Sequence, residues 1–202
     1  MYTICFVEDE KDLSNLIKVY LEKAGYKVVT FNKGADAIDY IGQPVDVWIL
    51  DIMLEDDISG YDIIKEIRKN NSNVPVIFTS ARDQEIDKIL GLELGSDDYI
   101  TKPYSSKELV LRVNNIIKRV YKKEEKTINY ETYQIDLEKR VVYKDQKQIK
   151  LTTLEFDLLI LFLKNINKGF SRDEILNYIW GDDYYGTDRV VDDLVRRLRK
   201  KM

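Results

Sequence analysis

Asp51 closes the most apolar run of the chain, Val47-Trp48-Ile49-Leu50, and Ile52, Met53 and Leu54 follow it. Aspartate is depleted in strands, and a carboxylate is costly to desolvate without a partner. Polar groups end three other apolar runs as well: Glu8-Asp9 after "TICFV", Thr79-Ser80 in "VPVIFTS", and Lys102-Pro103 after "DYIT". If these runs are parallel strands, their terminal side chains emerge together at one edge of a sheet, where functional groups gather. Three crowded carboxylates raise one another's pKa unless a cation joins them. A hard divalent cation suits this set, and Mg²⁺ characteristically combines one or two carboxylates with waters and a phosphate. Lys102 adds a fixed positive charge and Thr79 a hydroxyl. Together they fit stabilisation of a transferred phosphoryl group, with Asp51 as the attacking carboxylate. Any one of these residues alone reads as surface or capping chemistry; the ordered set does not.

The elements that must position them alternate. Residues 3–8, 27–31, 46–51, 74–80 and 98–101 read as short strands, and 12–24, 33–41, 61–69, 84–94 and 105–121 as helices. Such alternation predicts a doubly wound, five-stranded parallel sheet with helices on both faces. The polar stretch "YKKEEKT" reads as a linker, and the pattern then changes. "YQIDL", "RVVYK" and "KQIKL" are short amphipathic strand pieces. Helices follow at 152–165, 171–180 and 188–201, the first two opened by Thr152/Glu155 and Ser171/Glu174 at capping-box spacing. The loop "GDDYYGT" leads into the third.

Composition narrows the chemistry. The 202 residues contain no histidine, which excludes histidine bases, histidine metal sites and Ser-His or Cys-His catalysis. The one cysteine, Cys5, excludes an internal disulfide, reads as a small core residue and suits a reducing cytoplasm. No apolar stretch approaches the about 18 residues of a membrane span. The net charge of −4 lies wholly in residues 1–123, with 17 basic side chains against 21 acidic; residues 124–202 hold 15 of each. Residues 189–201 still form a cationic stripe: Arg189, Arg196, Arg197, Arg199, Lys200 and Lys201 against Asp192 and Asp193.

Glu8-Asp9, Asp51, Thr79, "DDYITKP" and Lys102 together resemble the receiver of two-component response regulators, specifically the OmpR/PhoB type. The resemblance implies a flavodoxin-like receiver over residues 1–121, a linker over 122–127 and a winged helix-turn-helix domain over 128–202. It implies that Asp51 is the phosphoacceptor. Mg²⁺ would be held by Glu8, Asp9, Asp51 and the Met53 backbone carbonyl, with Thr79 and Lys102 on the phosphoryl oxygens. Tyr99 matches a rotating aromatic switch. Relatives commonly carry Pro four residues and Gly eight residues after the acceptor. Here those features are Glu55 and, nine after, Gly60, so "LEDDISG" is longer and more acidic, and Glu55, Asp56 and Asp57 read as a solvated turn. The side chains two beyond Asp51 and Thr79, expected beside the attacking water, are Met53 and Ala81, which implies slow self-dephosphorylation.

"LTTLEFDLLILFL", "FSRDEILNYIW" and "DRVVDDLVRRLRKKM" resemble the DNA-binding half of the same family. Val190, Val191, Leu194, Val195 and Leu198 recur at helical spacing as its core face, and the basic face reads as a major-groove recognition helix. Arg189 and Arg199 are expected on phosphates and Arg197 on a guanine edge, with Arg196 and Lys200 beside them. Asp193, where relatives more often carry a small apolar residue, could accept from a cytosine amino group or point away as a helix N-terminal charge. Relatives continue past the position of Met202 into a C-terminal hairpin, the wing. Its lack implies a shortened chain with fewer phosphate contacts and weak DNA binding.

Glu108, Arg112 and Arg119 stand on one stripe of the helix 105–121. They match the family's dimer face opposite Lys88, Asp97 and Asp98, with pairs Lys88–Glu108, Asp98–Arg112 and Asp97–Arg119 expected across a phosphorylation-favoured homodimer. The resemblance further implies a sensor histidine kinase, promoter DNA and RNA polymerase as partners, a cytoplasmic setting without membrane attachment, and no enzymatic turnover. Two other readings compete. A magnesium-dependent phosphatase with an aspartyl-phosphate intermediate would need a carboxylate two residues after Asp51, where Met53 stands. A receiver acting through protein contacts alone leaves the basic helix unexplained.

Overall fold

The structure is a computed structural model that describes residues 1–55, 57–70, 73–82, 84–121, 127–181 and 189–202. Asp56, residues 122–126 of the expected linker and residues 182–187 of the loop after the seventh helix lie outside this set. The chain divides into two compact units, Met1–Lys118 and Arg119–Met202.

In the first unit β1 (Thr3–Val7), β2 (Lys27–Phe31), β3 (Val47–Asp51), β4 (Val76–Ser80) and β5 (Asp98–Thr101) form one parallel sheet in the order β2-β1-β3-β4-β5. The central strands are continuous apolar runs because both of their faces are covered. Cys5, Val7, Trp48, Leu50, Val76 and Phe78 point toward α3 (Gly60–Asn70), which contributes Ile63, Ile64 and Ile67. The alternate residues Ile4, Phe6, Ile49 and Ile77 face the opposite side and are fully buried. There α1 (Lys11–Lys23) and α5 (Ser106–Val120) supply Ile17, Leu21, Leu109 and Val113 to the interior. Each such side chain contributes roughly 1.5–3 kcal/mol on burial. α2 (Gly34–Asp39) and α4 (Glu85–Glu93) complete the layers.

Two features of this sheet fix the site. The strand order reverses between β1 and β3, which opens a crevice beyond their carboxyl ends. The parallel register pairs Val7 with Leu50 and Asp51 with Thr79. Glu8, one residue past Val7, is therefore brought level with Asp51. At the opposite edge Arg68 braces two loops, donating to the carbonyls of Val74 and Gly95 at 2.7 Å each.

The second unit opens with an antiparallel meander, β6 (Thr127–Tyr130), β7 (Tyr133–Asp136), β8 (Val141–Lys144) and β9 (Lys147–Ile149). β6 is an element the sequence reading passed over. Its only apolar inward candidate is Ile128, too little for a period-2 signal. Asp145 and Gln146 both take positive φ, as a two-residue hairpin turn between β8 and β9 requires. α6 (Thr153–Lys164), α7 (Arg172–Trp180) and α8 (Arg189–Lys201) follow. Both expected capping boxes form: Thr152 with Glu155, and Ser171 with Glu174. Val190, Val191, Leu194 and Leu198 of α8 are buried. The buried Glu155 carboxylate also accepts from Lys201 Nζ at 2.5 Å, which ties the end of α8 to the start of α6.

Candidate functional site

At the crevice the Asp51 side chain is buried and both of its oxygens are engaged. Oδ1 accepts the Met53 N–H at 3.0 Å, and Oδ2 accepts from Lys102 Nζ at 2.6 Å. The same ammonium donates to Glu8 Oε1 at 2.8 Å. Carboxylate oxygens of Glu8, Asp9 and Asp51 lie within 4.8 Å of one another. Burial pushes the Glu8 carboxyl up to about 7, helped by the charges of Asp51 and Asp9 and opposed by Lys102. Burial works against the Lys102 ammonium too, but its bonds to Asp51 and Glu8 outweigh that and hold its pKa above the ordinary lysine value.

At this edge buried Glu8 Oε2 has no hydrogen-bond partner, and Thr79 Oγ1 and the Tyr104 hydroxyl have none beyond their approach to each other, which pulls the Tyr104 phenol down against its burial. Three carboxylates against one ammonium leave the cluster net negative. An anionic oxygen cluster with an orphaned buried carboxylate oxygen fits a hard cation, and the adjacent hydroxyls and ammonium fit phosphoryl oxygens. Tyr104 was not singled out from sequence. Burial first, then the Glu8 charge, pushes its phenol up. An aromatic residue just after "KP" was the available signal.

The acidic loop after β3 is closed by backbone contact. Ser59 and Asp62 cap α3: the Ser59 N–H donates to Asp62 Oδ2 at 3.2 Å and the Asp62 N–H to Ser59 Oγ at 3.3 Å. The next residue, Gly60, sits so close to the site that a Cβ would fall 2.3 Å from the Asp51 carbonyl oxygen. Glu55 and Asp57 are exposed, as a solvated turn requires.

Residues 4–114 match the family model "Response regulator receiver domain" and residues 146–202 the model "Transcriptional regulatory protein, C terminal". Over 206 residues the chain is 49% identical to transcriptional regulatory protein CssR of Bacillus subtilis (strain 168), covering all of this chain and 91% of that protein. The chain is a two-component response regulator of the OmpR/PhoB family. Response regulator SaeR of Staphylococcus aureus (strain USA300) is 35% identical, with all of this chain and 90% of SaeR covered. The structure of DrrB, a Thermotoga maritima OmpR/PhoB homologue, is 30% identical with a TM-score of 0.57 over all of this chain and 89% of that one. A RitR mutant at 24% identity, TM-score 0.78, covering all of this chain and 90% of its own, shares the fold. The protein is accordingly a phosphorylation-controlled, DNA-binding transcription regulator, from a family that works with cognate sensor kinases and DNA and is not enzymatic. Among the described residues, no helix is long and apolar enough to cross a membrane.

Other expected residues of this response regulator fall as follows. Tyr99 is turned inward, donating to the Arg82 carbonyl at 2.9 Å and packing its ring 6.5 Å from Phe78. Burial raises its phenol to about 12. On α5, Arg112 donates to both Asp98 oxygens, at 3.2 and 3.0 Å, and to Glu108 at 2.8 Å within the same chain. Asp97 does not stand on that face. Its side chain is 1% exposed, and Oδ2 accepts the Val76 N–H at 2.9 Å with Arg68 Nη2 3.8 Å away. Arg119, the first residue of the second unit, pairs with Asp157 at 3.0 Å and donates to the Ile179 carbonyl at 2.8 Å. The Asp97–Arg119 pair therefore has neither partner presented in this structure. Lys88 is half-buried on α4.

On α8, at about 3.6 residues per turn, Arg196 lies opposite the buried stripe. Arg189, Asp192, Arg199 and Lys200 are exposed around it. Arg197 lies on the flank, 13% exposed, with Nε 3.0 Å from Asp193 Oδ2; Asp193 is 12% exposed.

The Gly60 contact has a direct test. Gly60→Ala must displace the Asp51 backbone, so phosphorylation by a small phosphodonor should slow by about tenfold or more, equivalent to about 1.4 kcal/mol in the barrier. Mass-spectrometric time courses of phosphate uptake measure it, and an unchanged rate would show that the loop gives way without moving Asp51.

Proposed function

We propose that Asp51 is the residue that carries the phosphoryl group in this response regulator. The observation that carries the reading is the Asp51–Lys102–Glu8 bridge, with Glu8 Oε2 left without a partner beside it. One Asp51 carboxylate oxygen attacks the phosphorus of a sensor kinase phosphohistidine. An O–P bond forms, the N–P bond breaks, and the imidazole leaves with the electron pair. Lys102 and Thr79 bind the phosphoryl oxygens, and Glu8, Asp9, Asp51 and the Met53 carbonyl are the groups that would hold Mg²⁺. When bound, Mg²⁺ supplies charge neutralisation for the transferred group.

Residues 1–121 act as receiver and 128–202 as the DNA-binding domain, in the cytoplasm. Tyr99 serves as the aromatic switch. α8 enters the major groove of promoter DNA, with Arg189 and Arg199 on phosphates, Arg196, Arg197 and Lys200 along the same surface, and RNA polymerase engaged at the promoter. Phosphorylation favours a two-fold homodimer through α4 and α5. The exposed Ile86, Leu90 and Leu111 support that face, as do Lys88, Glu108, Asp98 and Arg112. In such a dimer Arg112 exchanges one of its intrachain carboxylates for the partner's Asp98. The buried Asp97 stays out of the interface.

Three outcomes follow from these assignments. Asp51→Asn should take up no phosphate by mass spectrometry, and a chelator should abolish uptake by the parent protein; full labelling of the variant would remove Asp51 from the role. Met53 is half exposed and Ala81 exposed, and neither side chain can orient water. Introducing Asn at Met53 together with Glu at Ala81 should speed loss of the phosphoryl group on the order of tenfold, a barrier about 1.4 kcal/mol lower; an unchanged decay rate counts against this geometry. Arg112→Asp should weaken the phosphorylated dimer in sedimentation, and adding Asp98→Arg should partly restore it. Monomeric behaviour of the phosphorylated parent protein would contradict the dimer.

A further inference from the structure

The recognition helix carries a carboxylate where a DNA-facing surface would be expected to carry none. Asp193 is not turned out to solvent. Its two oxygens differ: Oδ1 accepts from Arg196 Nη2, whereas Oδ2 lies 3.0 Å from Arg197 Nε without the geometry of a hydrogen bond. The two arginines sit in different surroundings. Arg196 is 64% exposed at the centre of the solvent face, whereas Arg197 is 13% exposed on the flank, nearly as enclosed as Asp193 itself. The i, i+3 spacing makes the Asp193–Arg196 contact a local one within α8.

We propose that Asp193 is a positioning residue that orients the guanidinium of Arg196 for reading guanine. The proposal rests on α8 being the helix that enters the major groove. Two physical arguments carry it. An arginine discriminates guanine by presenting two N–H groups in one plane to O6 and N7, so its orientation is the source of specificity. A surface arginine otherwise surrenders rotamer entropy on binding, and a carboxylate held in the protein removes part of that cost beforehand. The competing use of Asp193, accepting directly from a cytosine amino group, is disfavoured because Oδ1 is taken by Arg196 and the side chain is only 12% exposed. A helix N-terminal charge is disfavoured as well, since Asp193 stands in the second turn of α8.

The test is selection from a library of short DNA duplexes with a randomised core, using the phosphorylated full chain. The parent protein is compared with Asp193→Asn, Asp193→Glu, Arg196→Lys and Arg197→Lys. A lysine substitution keeps the charge but loses the planar fork. Asp193→Asn is expected to lose guanine preference, several-fold or more in enrichment, at a position that Arg196→Lys also loses. Its affinity for a random-sequence duplex should be retained or increased, because an acidic group has been removed from a phosphate-facing surface. Asp193→Glu, which keeps a carboxylate, should retain part of the preference. Unchanged preferences in Asp193→Asn would overturn the proposal. So would loss confined to a position that Arg196→Lys leaves unchanged, a cytosine included, and so would lost binding to the random duplex, the mark of a folding lesion. If the parent itself enriches no sequence, the groove-entering role of α8 falls, and this proposal falls with it.

Discussion

A single ammonium facing two buried carboxylates is the interaction around which the receiver unit is organised. Lys102 comes from the residue after β5, Glu8 from the residue after β1, and Asp51 from the end of β3, so the bridge joins three strands of the five. Removing one member of a buried charge set costs more than the set contributes, because the others are left uncompensated. The strands must therefore end level with one another, and the parallel register delivers that: Val7 against Leu50, Asp51 against Thr79, Thr79 against Ile100. Helix packing, the crossover at β1/β3 and the Gly60 approach all serve to hold these ends together. The site remains net negative even so, with Glu8 held up near neutrality by its burial. A cluster in that state is ready for a cation and for the phosphoryl group that accompanies it.

The parallel sheet and the acidic edge were legible in the sequence because each rests on a local pattern. Continuous branched runs mark buried parallel strands, and polar residues at their ends must share an edge once the strands are parallel. The capping boxes were legible for the same reason, since Thr152/Glu155 and Ser171/Glu174 carry their partners three residues apart. What escaped depended on tertiary placement. Asp97 and Asp98 look alike in sequence, yet adjacent residues at the start of a strand point to opposite faces. Asp98 meets Arg112 of α5, and Asp97 caps the Val76 N–H on the other side, beside Arg68. Alternation alone could have separated them. Arg119 shares a helical stripe with Arg112 but is engaged by Asp157, 38 residues on, which no stripe reveals.

The second unit handles charge in the opposite way. Residues 124–202 are neutral in sum, and the cations of this unit are distributed by how deeply their partners lie. Lys201 is drawn to the buried Glu155, and Arg140 to the buried Asp157 at 2.5 Å, where its guanidinium also covers the Phe156 ring at 4.5 Å. These pairs join α6 to its neighbours and contribute little to the outward field. Arg172 and Asp192, both more than half exposed, form a pair that water and salt screen. The outward cationic surface of α8 is therefore narrower than the run of basic letters in "DDLVRRLRKKM" suggests, and the acidic residues within it shape it.

A change of charge at Asp51 has a short route to the surface of the receiver. A phosphoryl group adds about −1.5 to −2 charge and three acceptor oxygens, and the Thr79 hydroxyl lies on the strand residue paired with Asp51. Thr79 precedes Ser80, whose Oγ accepts the Arg82 N–H at 3.1 Å, while the Arg82 carbonyl accepts from the Tyr99 hydroxyl. Any displacement of Thr79 toward Asp51 thus pulls on the segment that anchors Tyr99. The ring itself is confined between Phe78 and Gly91, where a Cβ would lie 3.2 Å from Tyr99 Cδ2 and 3.1 Å from Phe78 Cδ2. Glycine at that point lets α4 lie directly against both rings, so movement of Tyr99 cannot leave α4 where it was. Coupling of this kind requires packed atoms with no slack. The end of that route at α4, which bears the exposed Ile86 and Leu90, is packed in that way where Gly91 meets Phe78 and Tyr99.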